Sequence, residues 1–114
     1  HDSFRDARFV GMCRERGVAI VFAADSEFPA IPDVTADFVY ARIMGTQDKE
    51  TLGYSRAQID AWAQRAHTWA AGEAPALALL APPAPKKPRD VFLFVISGTK
   101  ARNPAAAQGI IAAL

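Results

Sequence analysis

Three stretches of this chain are apolar enough to be strands, and three others repeat at helical spacing. Val18-Ala-Ile-Val-Phe-Ala23 and Val91-Phe-Leu-Phe-Val-Ile96 are uninterrupted hydrophobic runs. Continuous rather than alternating hydrophobicity is what a parallel strand covered on both faces requires. Asp37-Phe-Val-Tyr-Ala-Arg-Ile43 alternates instead, placing Val39, Ala41 and Ile43 on one face and Phe38, Tyr40 and Arg42 on the other. An arginine at the end of such a strand is costly to press against a helix layer. Arg42 is therefore expected at the open end of the strand layer, where ligand or water satisfies its donors.

Residues 2–17 read as a helix, with Asp2 or Ser3 as N-cap, Phe9, Met12 and Cys13 facing inward, and Gly17 as a left-handed stop. Cys13 sits in that apolar stripe with no histidine beside it, which favours a core role over a reactive thiol. Ser55 and Gln58 form a capping box, and Ile59, Trp62, Ala63, Ala66, Trp69 and Ala70 then recur at helical spacing until Gly72. His67 borders this stripe without a second ligand-type residue one turn away, so a packed or surface histidine is favoured over a metal ligand. A last helix is expected over 104–114, with Asn103 as N-cap, Pro104 as first residue and Ile110, Ile111 and Leu114 inward. Pro75, Pro82, Pro83, Pro85 and Pro88 exclude helix and central strand from residues 73–90. That segment is expected to be a mobile surface excursion, its Lys86, Lys87 and Arg89 being solvated linker charges rather than a basic patch.

The order helix, strand, strand, helix, strand, helix predicts an α/β fold with parallel strands. Three strands leave unpaired edges, so the chain reads as a fragment of a larger α/β structure. The start at His1 rather than Met agrees with an upstream portion. A length of 114 residues suits a single domain, and a formal charge of +1 gives no reason to expect nucleic acid or an anionic membrane as partner. The single Cys13 excludes an internal disulfide and suits a reducing cytoplasm, and neither a membrane-spanning run nor a signal-peptide pattern is present.

Several segments together resemble the YecE-like family, domain of unknown function 72. Phe38-Val-Tyr-Ala-Arg-Ile-Met-Gly45 is similar to the family's "YxRxxG" strand, and Gly53-Tyr-Ser55 with Asp60-Ala-Trp-Ala63 to the helix that follows it. Arg89-Asp-Val-Phe-Leu-Phe-Val-Ile-Ser-Gly-Thr-Lys100 and Asn103-Pro-Ala-Ala-Ala107 are similar to the last strand and helix of one bacterial subgroup. His1-Asp-Ser-Phe4 resembles an "RHxSF" segment. The resemblance implies a variant TIM barrel, with residues 1–114 as its C-terminal part and the three strands as its sixth to eighth. Either the upstream half of that barrel or self-association would then cover the open edges. Met44 stands where many relatives carry His, and Ser97 or a neighbour where they carry Asn, so chemistry that rests on those groups does not transfer. The family supplies no established activity.

In barrels of this kind ligands bind at the C-terminal ends of the strands, often through the last two loops and a helix N-terminus. Under the proposed register His1, Asp25, Ser26, Arg42, Gly45 and residues 97–100 converge there. Arg42 offers a planar fork for phosphate or carboxylate, with a structural ion pair to Asp25 as the competing reading. Ser97, Gly98, Thr99 and Lys100 add close backbone approach, hydroxyls and charge ahead of a helix N-terminus. Taken alone, Lys100 and Arg102 read as solvated surface. Gly45 and Tyr54, inside the motifs of the resemblance, complete the expected ligand-binding set. Asp25 is the candidate general base and His1 its proton-transfer partner. Ser26 and Ser97 lack a histidine neighbour, which disfavours a Ser-His-Asp hydrolase. One His and one Asp make no metal site by themselves, though an upstream half could add ligands, and Gly98-Thr-Lys lacks the spaced glycines of a P-loop. The sequence leaves any cofactor unknown. The favoured reading is an enzyme binding a small anionic or phosphorylated ligand, with a phosphodiester-processing or nucleic-acid-binding protein and a non-catalytic binding protein as alternatives.

Overall fold

Residues 1–114 are all described by a computed structural model. The chain forms helix α1 (Ala7–Glu15), strands β1 (Phe22–Ala24) and β2 (Phe38–Ile43), helix α2 (Arg56–Ala70), strand β3 (Asp90–Val95) and helix α3 (Asn103–Ala113). Single 3-10 turns lie at Asp2–Phe4 and Lys100–Arg102. The strands make one parallel sheet in the order β1-β2-β3, with Phe22 opposite Ala41 and Tyr40 opposite Phe92. No helix is long and apolar enough to cross a membrane.

Period-two alternation decides which face is covered. Val39, Ala41 and Ile43 of β2 join Phe22 and Ala24 of β1 in the core, under Ile59, Trp62, Ala63 and Trp69 of α2 and Ala106 and Ile110 of α3. The rings of Trp62 and Trp69 lie 6.3 and 5.7 Å from that of Phe22, tilted or edge-on as aromatic quadrupoles prefer. Helix α2 begins as its local sequence dictates. The Ser55 hydroxyl accepts from the Gln58 N–H while the Gln58 side chain accepts from the Ser55 N–H.

The opposite face carries no helix. Phe38, Phe92 and Phe94 are 38%, 47% and 44% exposed on it, and Arg42 is exposed beside them. Phe38 packs against Phe92 at 6.0 Å, and Tyr40 against Phe94 at 5.1 Å. The continuous run in β3 therefore does not mean burial on both faces, as expected above. Its apolar side chains alternate between the helix layer and an open aromatic surface.

Several boundaries differ from those the sequence predicts. The helix expected over 2–17 starts only at Ala7, because Asp6 rather than Asp2 or Ser3 caps it, accepting from the Arg8 N–H at 2.7 Å. Met12 is exposed, the inward stripe being Val10 and Cys13. Only the last part of the first apolar run is strand. Thr35 intercepts the rest, its hydroxyl accepting from the Ile20 N–H and donating to the Val18 carbonyl, which withdraws those groups from the ladder. In α3 the covered face runs through Ala106 and Ile110, so Ile111, a helical step further round, and Leu114, past the helix end, are exposed. Asn103 lies inside α3, not at its cap, and its side chain is used elsewhere.

Residues 73–90, expected as a mobile excursion, make several hydrogen bonds to the body. Asp33, buried, accepts from the N–H groups of Leu80 and Ala81 at 2.9 Å each. Arg14 donates to the carbonyls of Val34 and Pro82, and buried Arg89 to those of Ala36, Gly72, Lys87 and Pro85. Gly72, at φ +82°, lies against the Lys87 backbone, where a Cβ would collide with the peptide. Lys86 and Lys87 pair with Glu73 and Asp37. Those partners hold the Glu73 and Asp37 carboxyls below their usual range, the direct hydrogen bond contributing most.

Candidate functional site

The C-terminal ends of the three strands bring β1, β2 and β3 out at one edge of the sheet, into the loops that begin at Asp25, Met44 and Ile96. Two of these loops start with strain. Asp25 and Ser97 are the only non-glycine residues with positive φ, at 56° and 55°. Left-handed backbone costs a side-chain-bearing residue roughly 1–2 kcal/mol. Such strain persists where the surroundings over-determine it, most often at binding and catalytic sites.

Asp25 is held by its neighbours on the β2 side. Tyr54, buried just ahead of α2, donates its hydroxyl to Asp25 Oδ2 at 3.1 Å and accepts from the Gly45 N–H at 2.9 Å. Gly45 has no side chain for a direct reason: a Cβ there would stand 2.7 Å from Asp25 Cβ. Burial, and secondarily the Asp25 carboxylate, push the Tyr54 hydroxyl well above the usual tyrosine range, the Gly45 bond opposing them. Tyr54 therefore stays protonated and donates to Asp25 at any ordinary pH. Oδ1 of Asp25 has no hydrogen-bond partner within the chain.

Arg42 stands on the open face, in register with Ala23 of β1 and Phe94 of β3. It forms no ion pair and no side-chain hydrogen bond within the chain; the salt bridges are Arg8–Asp6, Arg56–Asp60, Lys86–Glu73, Lys87–Asp37 and Arg102–Asp48. The competing reading of an Arg42–Asp25 pair does not describe this structure, in which Tyr54 rather than Arg42 engages the carboxylate.

The loop after β3 is fixed by a residue the sequence reading overlooked. Thr46, buried, accepts from the Thr99 N–H at 3.0 Å and lies 2.6 Å from Asn103 Oδ1, to which its hydroxyl donates. The Asn103 amide donates to the Ser97 carbonyl at 2.9 Å. A Cβ on Gly98 would fall 2.6 Å from Thr46 Oγ1, so Gly98 serves close packing on Thr46. The Thr99 N–H, expected to face a ligand, is shared between the backbone carbonyl and hydroxyl of Thr46. The only sign of Thr46 in the sequence is its place after Gly45, which names no partner.

Ser97 and Lys100 are exposed, and Lys100 has no ion pair. Ser26 accepts from the Phe28 N–H in a local turn. His1 is exposed, and its Nδ1 is engaged by the hydroxyl and N–H of Ser3; no hydrogen bond joins it to Asp25. His67 is exposed on α2. The structure thus gathers Asp25, Gly45 and Tyr54 into one network and Ser97, Gly98 and Thr99 into a second through Thr46. Arg42 stands unpaired on the central strand.

No curated protein and no solved structure shows a significant match to the chain. A family model described as protein of unknown function DUF72 matches residues 1–114. The chain belongs to that family.

Proposed function

We propose that these strand ends are part of the ligand mouth of a TIM-like barrel whose sixth to eighth strands are β1, β2 and β3, and that the protein is an enzyme acting on a small anionic, phosphorylated substrate there. The observation that carries this reading is Arg42, exposed at the end of the central strand with every guanidinium donor free of in-chain partners. A planar, permanently charged fork in that position suits an oxyanion. Lys100 supplies a second positive charge from the neighbouring loop.

Asp25 is the general base of this reading. Its Oδ2 is fixed by Tyr54 while Oδ1 is free to accept a substrate proton, and the strained backbone sets its aim. Tyr54 is a positioning residue, since its hydroxyl is already committed to Asp25 and the Gly45 N–H. The Thr99 N–H is engaged by Thr46, so in this reading the loop contributes through the Gly98 N–H and the Thr99 hydroxyl.

The test is calorimetry of the full-length protein with inorganic phosphate and with sugar phosphates. Arg42→Ala should weaken binding by about 1.5–3 kcal/mol, the range for a hydrogen bond to a charged group. Equal affinity in wild type and variant removes the reading.

A further inference from the structure

Arg42 stands among rings. On the open face it lies opposite Phe94 of β3 and Ala23 of β1, and Tyr40 precedes it by two residues on its own strand. Phe94 is 44% exposed and Tyr40 half-buried. Their centroids are 5.1 Å apart and their planes 30° from parallel, so the two rings form one slanted aromatic plate beside the arginine. No cation covers either ring; the one cation–π contact in the chain is Arg65 over Trp62.

The polar groups of this face are unevenly placed. Asp90, its one carboxylate on β2 or β3, lies opposite Phe38 at the start of β3. It is four residues from Phe94, roughly 13 Å along an extended strand. Toward β1 the neighbour of Arg42 is the methyl of Ala23, and Asp25 follows at the strand end. A ligand anchored on Arg42 therefore meets ring carbon on the β3 side within one strand spacing, about 4.8 Å. A polyol would press hydroxyls there against carbon, without partners, at a cost in free energy. A flat aromatic group gains by stacking instead.

Resting on the barrel-mouth reading above, and deepening it, we infer that the ligand is an aromatic phosphate ester: Arg42 holds the phosphate, and the esterified ring lies on Phe94 and Tyr40. Arg42 and Phe94 are the last open-face positions of their strands, so on that reading they form the row nearest the mouth. Phe38 and Phe92 lie deeper, where upstream strands pack. Because Phe94 is directly opposite Arg42, the ring must be joined close to the phosphate, as in an aryl phosphate, not through a long polar linker. Arg42 then selects for charge and Phe94 for the ring.

Calorimetry of the full-length protein with phenyl phosphate, glycerol phosphate and inorganic phosphate separates the ring from the charge. Phenyl phosphate should bind about two- to tenfold more tightly than glycerol phosphate, the range expected of an aromatic pair. Phe94→Leu keeps apolar bulk but loses the ring face, and should bring that ratio toward one. A ratio taken within one protein does not depend on how much of the variant folds. Crystals of the wild type grown with phenyl phosphate should place the phosphate on Arg42 and the ring on Phe94. Equal affinity for the two esters while Arg42→Ala still weakens both, or a preference that survives in Phe94→Leu, overturns the aromatic assignment and spares the anion reading. Absence of Arg42-dependent binding for all three probes removes both.

Discussion

Asp25, Tyr54 and Gly45 come from three separate places in the chain, and each explains the others. The glycine leaves space for the aspartate, the aspartate's turn is strained, and the tyrosine hydroxyl bridges the two. Gly45→Ala should cost about 1–3 kcal/mol, as overpacking does, because the new methyl meets Asp25 Cβ; urea unfolding of the full-length protein measures it. Tyr54 also imposes a pH dependence. In the unfolded chain its hydroxyl ionises around the ordinary 10.0, whereas in the folded protein it stays protonated to higher pH. Above about pH 10 the unfolded state therefore binds fewer protons than the native state, and stability falls as pH rises. Tyr54→Phe should lower stability at neutral pH and flatten this alkaline decline, as denaturant titrations at pH 8 and pH 11 would show. Arg42 was legible because strand alternation alone puts it on an open face. The Tyr54 bond to Asp25 was not, since nothing in the sequence says which of several polar groups meet across a turn.

At the scale of elements, legibility follows the range of the interactions. The capping box that starts α2 spans three residues and could be read directly, as could β2 with its strict period of two. The first apolar run could not be divided correctly, because the hydroxyl of Thr35, outside the run, takes two of its backbone groups. Proline density rules out helix and central strand for residues 73–90, but it does not say where the chain goes. Asp33 decides that, from 47 residues away, by binding the Leu80 and Ala81 N–H groups. Asp33→Ala should leave those donors without acceptors and cost roughly 1–3 kcal/mol for each one that water does not reach. Hydrogen exchange should show the loss as faster exchange confined to Leu80 and Ala81 and their neighbours. Unchanged protection there would mean that the segment is held by its other contacts, through Arg14, Arg89 and the Lys87–Asp37 pair.

At the scale of the molecule, the sheet has one covered face, one aromatic face and two unpaired edges at β1 and β3. Phe38, Phe92 and Phe94, with the Tyr40 ring, form the exposed apolar surface that a continuing structure or a second copy would cover. Residues 1–114 produced alone should self-associate, and Phe92→Lys with Phe94→Lys should reduce it; sedimentation velocity reads both outcomes, and a cooperative monomer of the unaltered fragment would contradict the expectation. The unpaired edges could be read from the count of strands, while the exposure of one whole face emerged only with the register. The Asp33 grip also has a meaning in time. Parallel pairing of β2 with β3 must close a loop containing α2 and the entire Pro-rich segment, and long closures of this kind slow folding. If Asp33 draws residues 80 and 81 back to the approach of β2 before β3 docks, it shortens the stretch of chain still searching. The carboxylate is placed to act as a folding clasp, and stopped-flow refolding of Asp33→Ala should show its loss as a slower folding arm, with a smaller change in unfolding.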